Sequence, residues 1–243
     1  MTQNDSESLD EALNCCSSNQ FERALAIADQ HLSSGPSDEI ATQAHRIRGH
    51  ALMGMGQLDE AIDETNLALQ ANPNDVETLA FRSLMYRRQG DIDAAERDSG
   101  RALEIDPENI QAIGEVAIVA LINQDYDRVI DLSTSIIDSN EDALDQMRAD
   151  AYSWRAQAYL MLGDTSQAAS DINMAIRIWP DNSSVYRVIR SDMHMAGDSP
   201  SDALDDIEMA LTRDQTNPDL LFRKGRTLGA LGQYEDAVRF ISD

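Results

Sequence analysis

The chain has 243 residues, a formal net charge of −25 and an isoelectric point near 4.2. So acidic a molecule repels phosphate backbones and anionic lipid, which excludes nucleic acid and membrane surfaces as electrostatic partners. Aromatic residues amount to 5%, few for one large globular core but sufficient for alanine-rich helix pairs that pack only on their neighbours.

The start, Met1-Thr2-Gln3-Asn4-Asp5, lacks the basic flank and apolar stretch of a secretory signal, and residues 1–4 are expected to be disordered. No apolar run approaches membrane-spanning length. The most apolar one, Val116 to Ile122, reads as a buried helix face. Cys15 and Cys16 are adjacent, and neighbours on a helix point about 100° apart, so they form no disulfide framework. A reducing cytoplasm is the expected compartment. The cations are eighteen Arg and the single Lys224, and Asp outnumbers Glu about two to one.

From the first helices onward the chain repeats itself. A small residue after each turn recurs as Ala24, Ala61, Ala95, Ala168, Ala203 and Ala237, with Val129 in the same place, at intervals of 37, 34, 34, 39, 35 and 34 residues. Pro36, Pro73, Pro107 and Pro180 stand twelve residues after four of these markers, and Ala68, Ala102, Ala175 and Ala210 stand seven after. Small residues are needed where two helices approach closely. Proline ends the second helix of each pair and biases the adjoining residues to a turn. Gly56, Gly90, Gly163 and Gly232 mark the turn inside the pair, where a positive φ closes the first helix.

Two repeats depart from this pattern. The 110–143 repeat has Gln124 for the turn glycine, Val129 and Ile136 for the alanines and Glu141 for the proline; the 183–217 repeat carries Arg190 near a small position and Ser199-Pro200 after its glycine. The first repeat has His31 where a small residue is usual. The segment Asp138 to Arg148 is expected to lengthen a connection or add a helical turn, and so to be the place for a bend.

Marks of this kind resemble those of the tetratricopeptide repeat family, over nearly the whole chain. The resemblance implies an all-α, right-handed superhelical solenoid of antiparallel helix pairs. Its repeats would be 5–38, 42–75, 76–109, 110–143, 149–182, 183–217 and 218–243, the last incomplete or uncapped. It also implies a scaffold that binds a protein or peptide on the face lined by the first helix of each pair. The alternative is a docking or regulatory region of a larger protein with its effector beyond residue 243. The uncapped end leaves self-association as a further expectation.

Projecting the family's inner face onto the chain selects Arg46, His50, Phe81, Leu84, Arg88, Trp154, Gln157, Arg187, Phe222, Arg223 and Arg226 as peptide-binding residues, with Met53 among their neighbours. Six arginines meet five acids over this face, so it is near neutral on a strongly acidic protein. Guanidinium groups beside Phe81, Trp154 and Phe222 suit carboxylates, either acidic side chains or a C-terminus, and Trp and Arg are enriched at binding hot spots. The family's carboxylate clamp for chaperone tails does not fit, because Gln111 and Glu115 stand where bases are required.

Chemistry beyond binding finds no support in the residues. His45 and His50 are five apart, a poor spacing for one metal on a helix, so neither a metal nor any other cofactor is expected. Asp91-Ile92-Asp93 starts a helix rather than a calcium loop. Gly225 to Gly229 lacks a phosphate-loop ending, and the Asn182-Ser183-Ser184 sequon carries no weight without a secretory route. Acidic pairs such as Asp205-Asp206 read as solvated surface. No catalytic constellation emerges, and an enzyme is not expected.

Overall fold

The computed structural model describes residues 3–139, 145–180 and 183–241. These residues form fourteen α-helices: α1 (Gln3–Ser17), α2 (Phe21–Ser33), α3 (Asp38–Gly54), α4 (Leu58–Ala71), α5 (Val76–Gln89), α6 (Ile92–Ile105), α7 (Ile110–Ile122), α8 (Tyr126–Asp138), α9 (Asp145–Met161), α10 (Thr165–Ile178), α11 (Ser184–Ala196), α12 (Pro200–Leu211), α13 (Pro218–Ala230) and α14 (Tyr234–Ile241). No strand occurs among the described residues. The chain divides into two compact blocks, Met1–Val119 and Ala120–Asp243, with the division inside α7. None of the described helices is long and apolar enough to cross a membrane.

Helix α1 already includes Gln3 and Asn4, which the sequence sets apart as disordered. Helix α9 begins at Asp145, so a turn is added ahead of residue 149. Residues 140–144, where a bend is expected, lie outside the described residues, as does Asn182 of the sequon.

Each repeat folds into a helical hairpin for the same local reason. At the end of every first helix, a backbone N–H reaches back to the carbonyl five residues earlier and satisfies a free helix-end acceptor. Gln57 does so to Leu52, Asp91 to Tyr86, Asp125 to Ala120, Asp164 to Tyr159 and Gln233 to Leu228, each at 2.9 Å. This closure needs one left-handed residue. Gly90 supplies it at φ +88°, whereas Gln124 supplies it at +62° in the repeat that lacks the glycine. In the 183–217 repeat the left-handed residue is Asp198, at +57°, and not the preceding Gly197. Side chains then cap the succeeding helices: Asp75, Asp91, Asp125 and Asp164 accept the backbone N–H three residues on.

The marker residues occupy the contacts between helices. Ala24, Ala61, Ala95, Val129, Ala168 and Ala203 are wholly buried, as are Ala68, Ala102, Ala175 and Ala210. Gly49 shows how little room remains: a Cβ there would lie 3.3 Å from both the Ala61 carbonyl oxygen and the Phe81 ring. Many small contacts of this sort replace one large core, which explains the low aromatic content.

A second periodic feature ties the helices by charge. Arg82 on α5 makes a two-pronged pair with Asp98 on α6, at 2.6 and 2.8 Å, and its remaining prong donates to Asn66 on α4 at 2.7 Å. Arg155 repeats the arrangement with Asp171 at 2.7 and 3.0 Å and Thr134 at 2.9 Å. Arg190 does so with Asp206 at 2.8 and 2.6 Å and Asn173 at 2.6 Å. In the second repeat, Arg48 bridges Glu64 and Asp29. Each cation thus joins the second helix of its own repeat to the second helix of the repeat before. Asp98, Asp171 and Asp206 are buried at 8%, 4% and 2% exposure, so they are structural members and not solvated acids. This corrects the reading of Asp206 as open surface, and it also accounts for Arg190 in the 183–217 repeat. At the equivalent positions the 110–143 repeat has Val116 and Leu132, and the last repeat has Lys224 and Phe240. There the Lys224 ammonium lies 5.2 Å over the Phe240 ring and pairs with Glu208 at 2.7 Å.

Candidate functional site

In the N-terminal block, α3 and α5 place Arg46, His50, Phe81 and Leu84 around one cleft of about 380 Å³. The spacings of four and three residues put each pair on one helix face. Met53 continues the face on α3, Leu13 enters from α1, and Gln111 and Glu115 enter from α7. The lining is apolar at Leu13, Met53, Ala80, Phe81 and Leu84 and charged at Arg46, Glu77 and Glu115, of which Arg46 is buried and Glu77 exposed.

His50 and Phe81 stack face to face, with ring centres 3.6 Å apart and planes 17° from parallel. Burial and the nearby Arg46 charge hold the His50 imidazole down to about 4, so it is neutral at physiological pH. A neutral, stacked ring is a flat apolar wall with one donor and one acceptor. Arg46 pairs with Asp75 and Glu77. Glu115 pairs with Arg87 at 3.2 Å, yet burial outweighs that partner and the charge of Arg88 and raises the carboxyl above its ordinary range. Arg88 is exposed and has no ion pair among the described residues.

The remaining site expectations fall in other places. Trp154 is half-buried and packs against the cluster of Ala120, Val129 and Ala158, beside Leu121, Tyr126 and Ile130. Gln157 donates to the Ser153 carbonyl one turn back. Arg187 lies against Asp206 at 3.3 Å and Ser183 at 3.2 Å. Arg223 pairs with Asp192 and Asp219, both at 2.7 Å, and Arg226 shares Asp192 at 3.3 Å. Phe222 is 52% exposed. The near-neutral face is therefore one on which most arginines already hold an acid of this chain, and of that set Arg88 alone has no ion pair among the described residues.

Sequence reasoning missed a second cleft, of about 610 Å³, in the C-terminal block. It opens between the second helices α10 and α12 and is lined from α11 by Arg190, Met193 and His194. A projection of the first-helix face alone does not reach these residues. The spacing of 16 residues between Arg82, Arg155 or Arg190 and its acid is the signal that points there. Among the described residues no group of His, Cys, Asp or Glu is arranged to hold a metal ion.

Comparison with known proteins agrees with the repeat geometry. Family models described as "Tetratricopeptide repeat" match residues 48–110 and 136–183, and another of the same description matches 207–239, together more than half of the chain. A DnaJ homolog subfamily C member 3 from Gallus gallus is 26% identical over 198 residues, 81% of this chain and 34% of that protein. Protein PHOX1 from Arabidopsis thaliana is 42% identical over 60 residues, 25% of this chain and 8% of that protein. The chain thus spans about a third or less of these relatives' lengths. A tetratricopeptide repeat protein structure from Parabacteroides merdae superposes with a TM-score of 0.74 at 19% identity, covering 98% of this chain and 91% of that one. The Cut9-Hcn1 structure of an APC/C hetero-tetramer gives a TM-score of 0.78 at 14% identity, covering 91% of this chain and 42% of that one. At such identities the likeness concerns the fold, which is all-α and built of helical repeats.

Proposed function

The chain belongs to the tetratricopeptide repeat family, a family of protein-interaction scaffolds, and from that premise we propose that it captures a peptide segment of its partner in the cleft between α3 and α5. The observation that carries this reading is the His50–Phe81 stack in a lining that is apolar at Leu13, Met53, Ala80 and Leu84 and whose buried Arg46 and half-buried Glu115 already hold partners. An apolar side chain entering the cleft would cover Met53 and Leu84, and covering apolar surface contributes roughly 25 cal/mol per Å². A carboxylate beside that side chain would meet Arg88, whose charge no acid among the described residues neutralises by direct pairing. Arg46 supplies a second cation, engaged by Asp75 and by the exposed Glu77. Within the C-terminal block, Trp154, Gln157, Arg187, Phe222, Arg223 and Arg226 would contribute binding contacts of their own, at lower gain where existing ion pairs must first be broken.

The test is affinity capture from native cells with the unaltered chain and with Met53→Glu, each checked for an unchanged melting temperature. A partner retained by the former and by Asp127→Asn, an exposed change on α8, but lost with Met53→Glu, supports the cleft. Equal retention by Met53→Glu overturns it. A second reading, docking region of a larger protein, draws on relatives about three times as long as their matched part; the full transcript decides it.

A further inference from the structure

The cleft in the C-terminal block is lined from α9, α10, α11 and α12, and none of the residues assigned above to peptide capture is among its lining. Its lining is mainly apolar, contributed by Leu160, Ala169 and Met193, and Ala169 is exposed to solvent. One lip is different in kind. Asp202 and Asp205 stand on α12 at this opening, both exposed; neither makes a direct ion pair among the described residues, and the Asp202 charge acts on Arg190 only from a distance. Asp206 beside them does not add to that field in the same way, because Arg190 and Arg187 both hold it. The fold has therefore neutralised the acid that it buries and left two open acids at the mouth of an apolar cleft.

We propose that this cleft is a second docking site, and that its occupant is a segment of a protein partner with an apolar side chain flanked by Lys or Arg. Charge complementarity selects this occupant. A basic flank meets Asp202 and Asp205, whereas an acidic flank would be repelled there and by the protein's charge of −25. The apolar side chain enters between α10 and α12 and covers Ala169 and Met193, giving a helix or strand an anchor that long-range attraction alone does not provide. The site stands apart from the α3–α5 cleft in residues and in the sign of the charge that it prefers. It does not depend on that reading.

The probe is a short synthetic helix with Leu on one face and Lys on the other, added to the full chain labelled at its methionine methyl groups. Saturable movement of the Met193 signal is expected. Asp202→Asn with Asp205→Asn should weaken binding by at least about tenfold, and Ala169→Trp, which fills the cleft, should do the same. Asp127→Asn with Asp131→Asn on α8 removes the same charge elsewhere in the block and should change affinity less than about twofold. A Met193 signal that stays still overturns the proposal, as does equal weakening by the α8 pair, which would mean diffuse attraction to an acidic protein. A probe with Glu in place of Lys that binds equally well overturns the charge argument. Movement of Met53 alone would assign the probe to the other cleft and equally reject this one.

Discussion

Two sets of arginines sit on the first helices of this protein, and they differ in what faces them. Arg82, Arg155 and Arg190 each meet a buried aspartate on the paired helix and a polar group on the preceding repeat. Arg88 and Arg226 lie toward solvent, and Arg223, half-buried like the first set, meets the more exposed acids Asp192 and Asp219 instead. Residue type alone does not separate the two sets. The difference teaches that in a repeat scaffold an arginine becomes structural when its own second helix carries an acid at a fixed distance, and remains available when it does not. The 110–143 repeat, with Val116 and Leu132 at those positions, shows that the fold accepts an apolar solution as well.

The largest effect is expected when one buried charge is orphaned. Asp171→Ala leaves Arg155 without its two-pronged partner and should destabilise the protein by about 3 kcal/mol in chemical denaturation, since removing one member of a buried pair costs far more than removing both. Arg155→Met combined with Asp171→Leu should recover most of that loss, as the apolar repeat suggests. A double variant no better than the single would show that the pair is worth more than its packing. Asp171→Arg is no neutral change of an outer face, although Asp171 stands on a second helix, because its side chain is buried and holds Arg155.

Next in size is packing without charge. Ala95 is wholly buried where α5 and α6 meet, and the Ser83 hydroxyl donates to its carbonyl at 2.8 Å. Ala95→Leu should cost about 1–3 kcal/mol by overpacking, read from the denaturation midpoint. A midpoint equal to that of the parent would contradict the close helix contact.

At the cleft, stability should depend on pH through His50. The folded His50 takes a proton only near 4, while its unfolded counterpart does so near 6.5. Between those values the unfolded chain binds more protons, so stability should fall as pH is lowered from about 6.5 toward 4. His50→Gln should flatten that part of the profile, and an unchanged slope would mean that His50 is solvated. The smallest effect is expected at the exposed set. Arg226→Gln breaks a pair that is half open to water, and should change stability by less than about 0.5 kcal/mol.

The repeat register is legible because Ala61, Ala95 and Ala168 must be small for the same reason in every pair, so the constraint prints itself at a fixed period. The turn glycines are equally readable, except that the left-handed residue falls on Asp198 and not on Gly197. The candidate site is legible only in part. Helical spacing brings Arg46 to His50 and Phe81 to Leu84 on their faces, but it says nothing of which arginines are already engaged. That depends on acids such as Asp192 and Glu115, 31 and 28 residues from their partners. The buried Asp206 is misread for a related reason: an acid beside another acid looks like surface until the arginine facing it is known.

Whether the α3–α5 cleft receives the partner can be read directly from a captured partner peptide. With the methionine methyl groups labelled, titration of that peptide should move Met53 in a saturable manner, and Leu84→Glu should abolish the movement while leaving the melting temperature nearly unchanged. A peptide that binds with the same affinity to both forms, and leaves the Met53 signal where it was, would contradict the account.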